Sequence, residues 1–200
     1  IATADITLKF DREEETDTYL IRNKLAEKLN LELKVLAVRD QISEVLVNGE
    51  SKSWLLVENI GSPLMQINVE LKGSAQVQIV WRGKNRKKSD YQKIGGADDQ
   101  WKFSTSNKIT AVYDPQKLLN QASVKSQSIT GKLVGEVGNR SLFVQLEQGQ
   151  MKWWEPVNIE IKDEFDTIIS SFAIVHFSKD KRFDIYKSIY KNLKILYLFL

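Results

Sequence analysis

The sequence predicts a mainly β protein, an antiparallel β-sandwich in one or two immunoglobulin-like or jelly-roll-like units, closed by a short helical C-terminal tail. Three observations carry that prediction. Apolar residues recur at every second position through most of the chain, the mark of half-buried strands. Turn chemistry, such as Asn48-Gly49 and Gln148-Gly149-Gln150, separates these runs. The strands follow one another closely, without the long intervening helices of a parallel α/β fold.

Taken in order, Ile6, Leu8 and Phe10 alternate with polar residues until an acidic run, Asp11 to Asp17, interrupts them. Ile21, Leu25 and Leu29 have helical spacing and allow a short helix, whereas Leu31, Leu33 and Val35 restore the strand pattern. Val45-Leu46-Val47 runs into Asn48-Gly49, a pair that tolerates the positive φ of a tight hairpin, with Trp54 to Val57 expected as the return strand. Gly61-Ser62-Pro63 marks the next turn. Ile67, Val69 and Leu71, the turn Lys72-Gly73-Ser74, and Val77, Ile79 and Trp81 predict a second hairpin.

Residues 82–100 differ in kind. Arg82, Lys84, Arg86, Lys87, Lys88 and Lys93 accompany Gly83, Gly95 and Gly96 with little apolar periodicity. A basic loop or linker is expected here, dividing a first β unit (1–81) from a second (101–162). Trp101 and Phe103 open the second unit, and Ile109, Ala111 and Tyr113 follow. Asp114-Pro115 before Gln116-Lys117-Leu118-Leu119 predicts a capped helical turn, with proline at the first helical position. Short strands are expected around Ile129 and at Leu133-Val134, then a turn at Gly138-Asn139. Leu142, Val144 and Leu146 precede the turn at 148–150, and Val157, Ile159 and Ile161 form the last clear strand. The segment 163–200 is atypical: Ile168 to Phe177 reads as a strand, and Phe183 to Leu200 has helical spacing at Ile185, Ile189, Leu193 and Leu196.

Composition narrows function. The 200 residues are 42% apolar and 28% charged, which suits a folded domain with a real core. A net charge of +3 gives no push toward nucleic acid. With no cysteine, disulfides, thiolate zinc sites and thiol nucleophiles are excluded together. No run approaches the roughly 20 apolar residues of a membrane-spanning helix, so no transmembrane segment is expected. The opening Ile1-Ala2-Thr3-Ala4-Asp5 carries neither an initiator Met nor leader features and reads as a trimmed start.

His176 is the single histidine and sits in an apolar run, so a structural role in a strand is expected, with no metal site and no cofactor. Paired carboxylates could in principle support glycoside hydrolysis. Asp98 and Asp99, close before Trp101, and Glu155, next to Trp154, are the candidates, and solvated turn carboxylates are the simpler expectation. The tryptophans say more. Neighbours on a strand face opposite ways, so of Trp153 and Trp154 one should enter the core while the other meets water, a glycan or a neighbouring domain. Trp81 and Trp101 flank the basic loop and are expected at the junction. Trp153, Trp154, Trp101 and Trp81 are thus the candidate ligand or domain contacts. The basic loop itself reads as solvated, and its one aromatic, Tyr91, does not support single-strand stacking.

Two stretches resemble a known family. Val45-Leu46-Val47-Asn48-Gly49, Val57-Glu58-Asn59-Ile60-Gly61-Ser62-Pro63 and the closing Val80-Trp81 resemble a β-sandwich of large Bacteroidetes-type glycosidases with a six-hairpin (α/α)6 barrel. Tyr113-Asp114-Pro115-Gln116, Gly138 to Val144, and Gln148 to Val157 resemble a following segment of such proteins. The likeness covers about residues 42–161. It implies a periplasmic or extracellular setting and an accessory role in glycan processing, bracing a neighbouring helical catalytic domain or another chain and contacting polysaccharide. The alternatives are a free-standing carbohydrate-binding or adhesion module and a small carboxylate-only glycosidase. The barrel that would carry catalysis has no counterpart in this chain, so the resemblance transfers no catalytic residue.

Overall fold

The computed structural model describes residues 5–162. The expectations for a strand at 168–177, for a helix at 183–200 and for His176 lie outside the described residues. Every regular element among them is a strand. In chain order these are β1 (Ile6–Glu13), β2 (Thr16–Asn23), β3 (Leu29–Leu36), β4 (Arg39–Val47), β5 (Glu50–Ser51), β6 (Leu55–Val57), β7 (Leu64–Leu71) and β8 (Ser74–Asn85). There follow β9 (Asp90–Tyr91), β10 (Ile94–Gly96), β11 (Gln100–Ser104), β12 (Lys108–Tyr113), β13 (Leu119–Lys125), β14 (Ser128–Leu133), β15 (Gly138–Gln148) and β16 (Met151–Lys162).

They form four sheets, and every strand pair with a resolved register is antiparallel. The first sheet has the order β1-β2-β8-β4-β5 and the second β3-β7-β6; the third is β10-β16-β15-β12 and the fourth β13-β14-β11-β9. Strands β1–β8 therefore pair among themselves, as do β9–β16. The fold is sandwich-like: alternate residues of all four sheets turn inward to one apolar core that includes Met65, Ile67, Val77, Ile79, Trp81, Phe103, Leu142, Val144 and Trp153. Residues up to Ile161 make up one compact unit.

Local chemistry explains the turns. Val47 pairs with Glu50, leaving Asn48 (φ 53°) and Gly49 (φ 84°) as the two-residue loop that the dipeptide predicts. Gln148 pairs with Met151 around Gly149-Gln150, so β15 and β16 make a long hairpin. The acidic run does not break the first strand. It forms the end of a hairpin in which Glu13 pairs with Thr16 across Glu14-Glu15, with Glu14 at φ 50°.

Several expectations require correction. No helix forms around Ile21–Leu29: β2 runs to Asn23, whose side chain then organises a turn. Its Oδ1 accepts the Leu25 N–H (2.8 Å) and its Nδ2 donates to the Glu27 carbonyl (3.1 Å). Such a local amide bond outcompetes a helix that has only three apolar residues to hold it. Trp54 to Val57 is not the return strand of the Asn48-Gly49 hairpin. That strand ends at Ser51, and the chain crosses to the second sheet, where β6 pairs with β7. Likewise β7 and β8 are not a hairpin: β7 belongs to the second sheet and β8 to the first. Gly73 (φ 78°) turns the chain from one sheet to the other.

The expected linker is partly strand. The β8 ladder against β4 continues to Asn85, opposite Arg39, and 90–91 and 94–96 form β9 and β10. Periodicity was silent there because Arg82 to Lys88 are exposed on both faces. Asp114-Pro115 opens a turn rather than a helix: the Asp114 carbonyl accepts Lys117 N–H (3.3 Å), Asp114 Oδ2 accepts Leu119 N–H (3.0 Å), and Lys117 is left-handed at φ 54°. The turn expected at Gly138-Asn139 precedes those residues, which already pair with Ile161 and Glu160. Ile129 and Leu133 share the single strand β14.

Candidate functional site

The four candidate tryptophans fare differently. Trp81, Trp101 and Trp153 are buried at 0–1% exposure, so none offers a ring face to a ligand. Each indole N–H is satisfied inside the protein. Trp81 donates to Asp17 Oδ2 (2.9 Å), Trp101 to the Gln92 carbonyl (2.7 Å) and Trp153 to Glu155 Oε2 (3.0 Å). Trp154 alone is half-buried, as alternation along β16 requires.

Trp153 lies where the two sets of strands meet, with the Arg86 guanidinium 5.8 Å above its ring. That junction is built on backbone. Gly61 N–H donates to the Trp154 carbonyl (2.7 Å) and Trp154 N–H to the Asn59 carbonyl (3.0 Å), so residues 59–61 add a short parallel bridge to β16. At the tip of the β15–β16 hairpin, Gln150 N–H donates to the Asp40 carbonyl (2.8 Å) and Gln150 Oε1 accepts Ile42 N–H (3.0 Å). Gln148 Nε2 donates to Asp40 Oδ2 (3.1 Å) and to the Asn85 carbonyl (3.0 Å). The remaining gap beside Asp40, Arg86 and Trp153 is about 10 Å³, room for one water at most. It is packing, not a ligand site.

Aromatic groups open to solvent gather on the outer face of the third sheet, where Tyr113 is exposed, Phe143, Trp154 and Pro156 are half-buried and Gln145 is buried. Leu142, Val144, Leu146, Trp153 and Val157 point inward, which leaves Phe143, Gln145, Trp154 and Pro156 on the other face. Cross-strand pairing sets them in rows. Tyr113, Phe143 and Pro156 make one row and Ala111, Gln145 and Trp154 the next. The Tyr113 and Phe143 rings stack at 6.3 Å, and Tyr113 is 59% exposed. Polar rows flank this band. On one side Glu147 lies between Lys108 and Lys152, bonded to Lys108 (3.1 Å). On the other, Ser141 Oγ donates to Asn158 Oδ1 (2.6 Å). Gln145 is tied down by Glu58 Oε2, which accepts its Nε2 (2.6 Å), and by Thr110, whose Oγ1 donates to Gln145 Oε1 (2.7 Å). The result is a fixed apolar strip with hydrogen-bonding edges.

The carboxylates that might have served acid/base chemistry are engaged separately. Asp98, left-handed at φ 68°, is 3.5 Å from Lys132 Nζ; Asp99 Oδ2 accepts Gly96 N–H (2.6 Å); Glu155 holds the Trp153 indole. Among the described residues no three acidic or histidine side chains gather into a metal-binding group. Reading by residue type missed Tyr113 and Phe143, which strand pairing sets in the row next to that of Trp154. Their signal was present in the period-two placement, but pairing between β12 and β15 was needed to align them.

No helix among the described residues is long and apolar enough to cross a membrane. In comparisons with known proteins, the chain matches no protein-family model and no curated protein.

Proposed function

We propose that this chain is a non-catalytic accessory β-sandwich region of an extracytoplasmic glycan-degrading protein, and that its third sheet contacts glycan through Tyr113, Phe143 and Trp154. In this reading the two sets of sheets are immunoglobulin-like or jelly-roll-like units that brace a neighbouring helical catalytic domain. The observation that carries it is the aromatic strip with polar edges on an outer sheet face. Sugar rings have apolar C–H faces that pack on aromatic rings and hydroxyls that need donors and acceptors at the margin. The locked junction supports a bracing role, because a positioning element must not flex between its halves.

Affinity electrophoresis on a panel of neutral and acidic polysaccharides tests this. Retardation on at least one is expected, weakened about tenfold by Trp154→Ala combined with Tyr113→Ala, given roughly 0.5–1.5 kcal/mol for each aromatic contact. Migration unchanged on every polysaccharide, or retardation indifferent to both substitutions, would sink the glycan contact. A free-standing binding module uses the same face; it differs in binding glycan without the neighbouring domain.

A further inference from the structure

The second sheet carries a concavity distinct from the aromatic strip. Strand β7 runs eight residues, but its edge partner β6 covers only Leu64 to Gln66. Beyond Leu55 the chain departs toward Ser51, and the connecting residues border an open concavity of about 250 Å³ beside β7, where β6 ends. It is lined by Lys52, Ser53, Trp54, Leu55, Gln66 and Asn68. Trp54 is partly buried, packed against the core while also lining the cavity. Gln66 and Asn68 stand on the outer face of β7 because Met65, Ile67 and Val69 fill the core.

Two features define what the concavity can bind. Among the described residues, the Trp54 indole N–H, the Gln66 and Asn68 amides and the Ser53 hydroxyl make no hydrogen bond within the protein, and Lys52, Ser53 and Asn68 are exposed, so these groups are open to a ligand's hydroxyls. The nearby ions, in contrast, are already paired: Lys34 with Glu32 (2.5 Å), which flank Gln66 and Asn68 on β3, and Lys28 with Glu70 (2.6 Å). A concave site offering an indole, two amides, a hydroxyl and one ammonium, with no carboxylate in its lining, fits a neutral polyhydroxylated ring. Its volume suits one ring rather than a chain, since drug-sized sites begin near 300 Å³.

We infer that the notch under Trp54 binds a single neutral pyranose residue, stacked on the indole and hydrogen-bonded by Gln66, Asn68, Ser53 and Lys52. The site stands apart from the third-sheet strip. If both bind, one polysaccharide held at two points gains avidity without new contacts.

The test uses the whole chain labelled with ¹⁵N, whose five tryptophans give separately assignable indole signals. It is titrated with glucose, galactose, mannose, N-acetylglucosamine and xylose, with glucuronate and galacturonate as charged controls. At least one neutral sugar should shift the Trp54 indole saturably. Gln66→Ala with Asn68→Ala should weaken that response about tenfold without moving the thermal midpoint, and Trp154→Ala should leave it intact. No saturable shift at Trp54, equal affinity in the double variant, a stronger response to the uronates, or loss on Trp154→Ala would each overturn the proposal. The last variant also separates this site from the third-sheet contact, which fails or stands by polysaccharide retardation.

Discussion

Asp17 shows how one side chain ties surface to core. It is fully buried, accepts Arg12 Nη2 (2.9 Å) and the Trp81 indole N–H (2.9 Å), and stands beside Tyr19. Its hydrogen bond holds the Arg12 guanidinium above its usual pKa. Replacing Asp17 with Ala leaves a buried indole N–H without a partner, and a loss of about 3 kcal/mol in chemical denaturation is expected. Burial, reinforced by the negative charge of Asp17, pushes the Tyr19 hydroxyl up to about 12. The folded state therefore resists ionisation that the unfolded chain undergoes near its ordinary value. Stability from Tyr19 is full below about pH 10 and disappears as pH rises toward 12. Urea midpoints measured from pH 8 to 12 should fall less steeply in Tyr19→Phe than in the natural chain; parallel curves would contradict this. Period-two alternation marks Asp17 only as a polar position, since its burial depends on Arg12 and Trp81 meeting it from other strands.

Among the elements, the β15–β16 hairpin is the most constrained. Gly149 is left-handed (φ 57°), and a Cβ there would stand 2.4 Å from the Asp40 carbonyl oxygen. Gly73 is also left-handed (φ 78°) but has open space around it. Gly73→Ala should cost about 1 kcal/mol, the backbone penalty alone, and Gly149→Ala clearly more, because backbone must move. Equal losses would show that the hairpin tip is not pressed on Asp40. Both glycines were legible as turn residues. Their unequal importance was not, because Asp40 lies more than a hundred positions from Gly149. The same limit explains β7 and β8: alternation and a glycine turn describe a hairpin and a sheet-to-sheet crossing equally well.

At the scale of the molecule, strand pairing divides β1–β8 from β9–β16, while the Asp40, Gln148 and Gln150 contacts and the 59–61 bridge join them. Calorimetry should show one transition for residues 1–162, with matching calorimetric and van 't Hoff enthalpies. Asp40→Ala with Gln150→Ala should split or broaden it. Two transitions within unaltered residues 1–162 would mean the junction does not couple the halves. The basic run 82–88 passes through this junction, where Arg86 bonds the Gly61 carbonyl and Ser62 Oγ (2.5 Å). Part of what composition suggests as a solvated loop is therefore structural.

Sequence alone determined that strands predominate, the Asn48-Gly49 and Gly149-Gln150 turns, and the apolar face of the long alternating strands β7, β8, β15 and β16. These depend on neighbours two to four residues apart, within reach of backbone sterics and side-chain alternation. Tertiary structure decided which strands pair, that three of the four chosen tryptophans are core, and that Tyr113 joins Phe143 beside Trp154. It also opened the notch below Trp54, by ending β6 early against a longer β7. Such features come from contacts between distant segments, for which a period-two pattern holds no address.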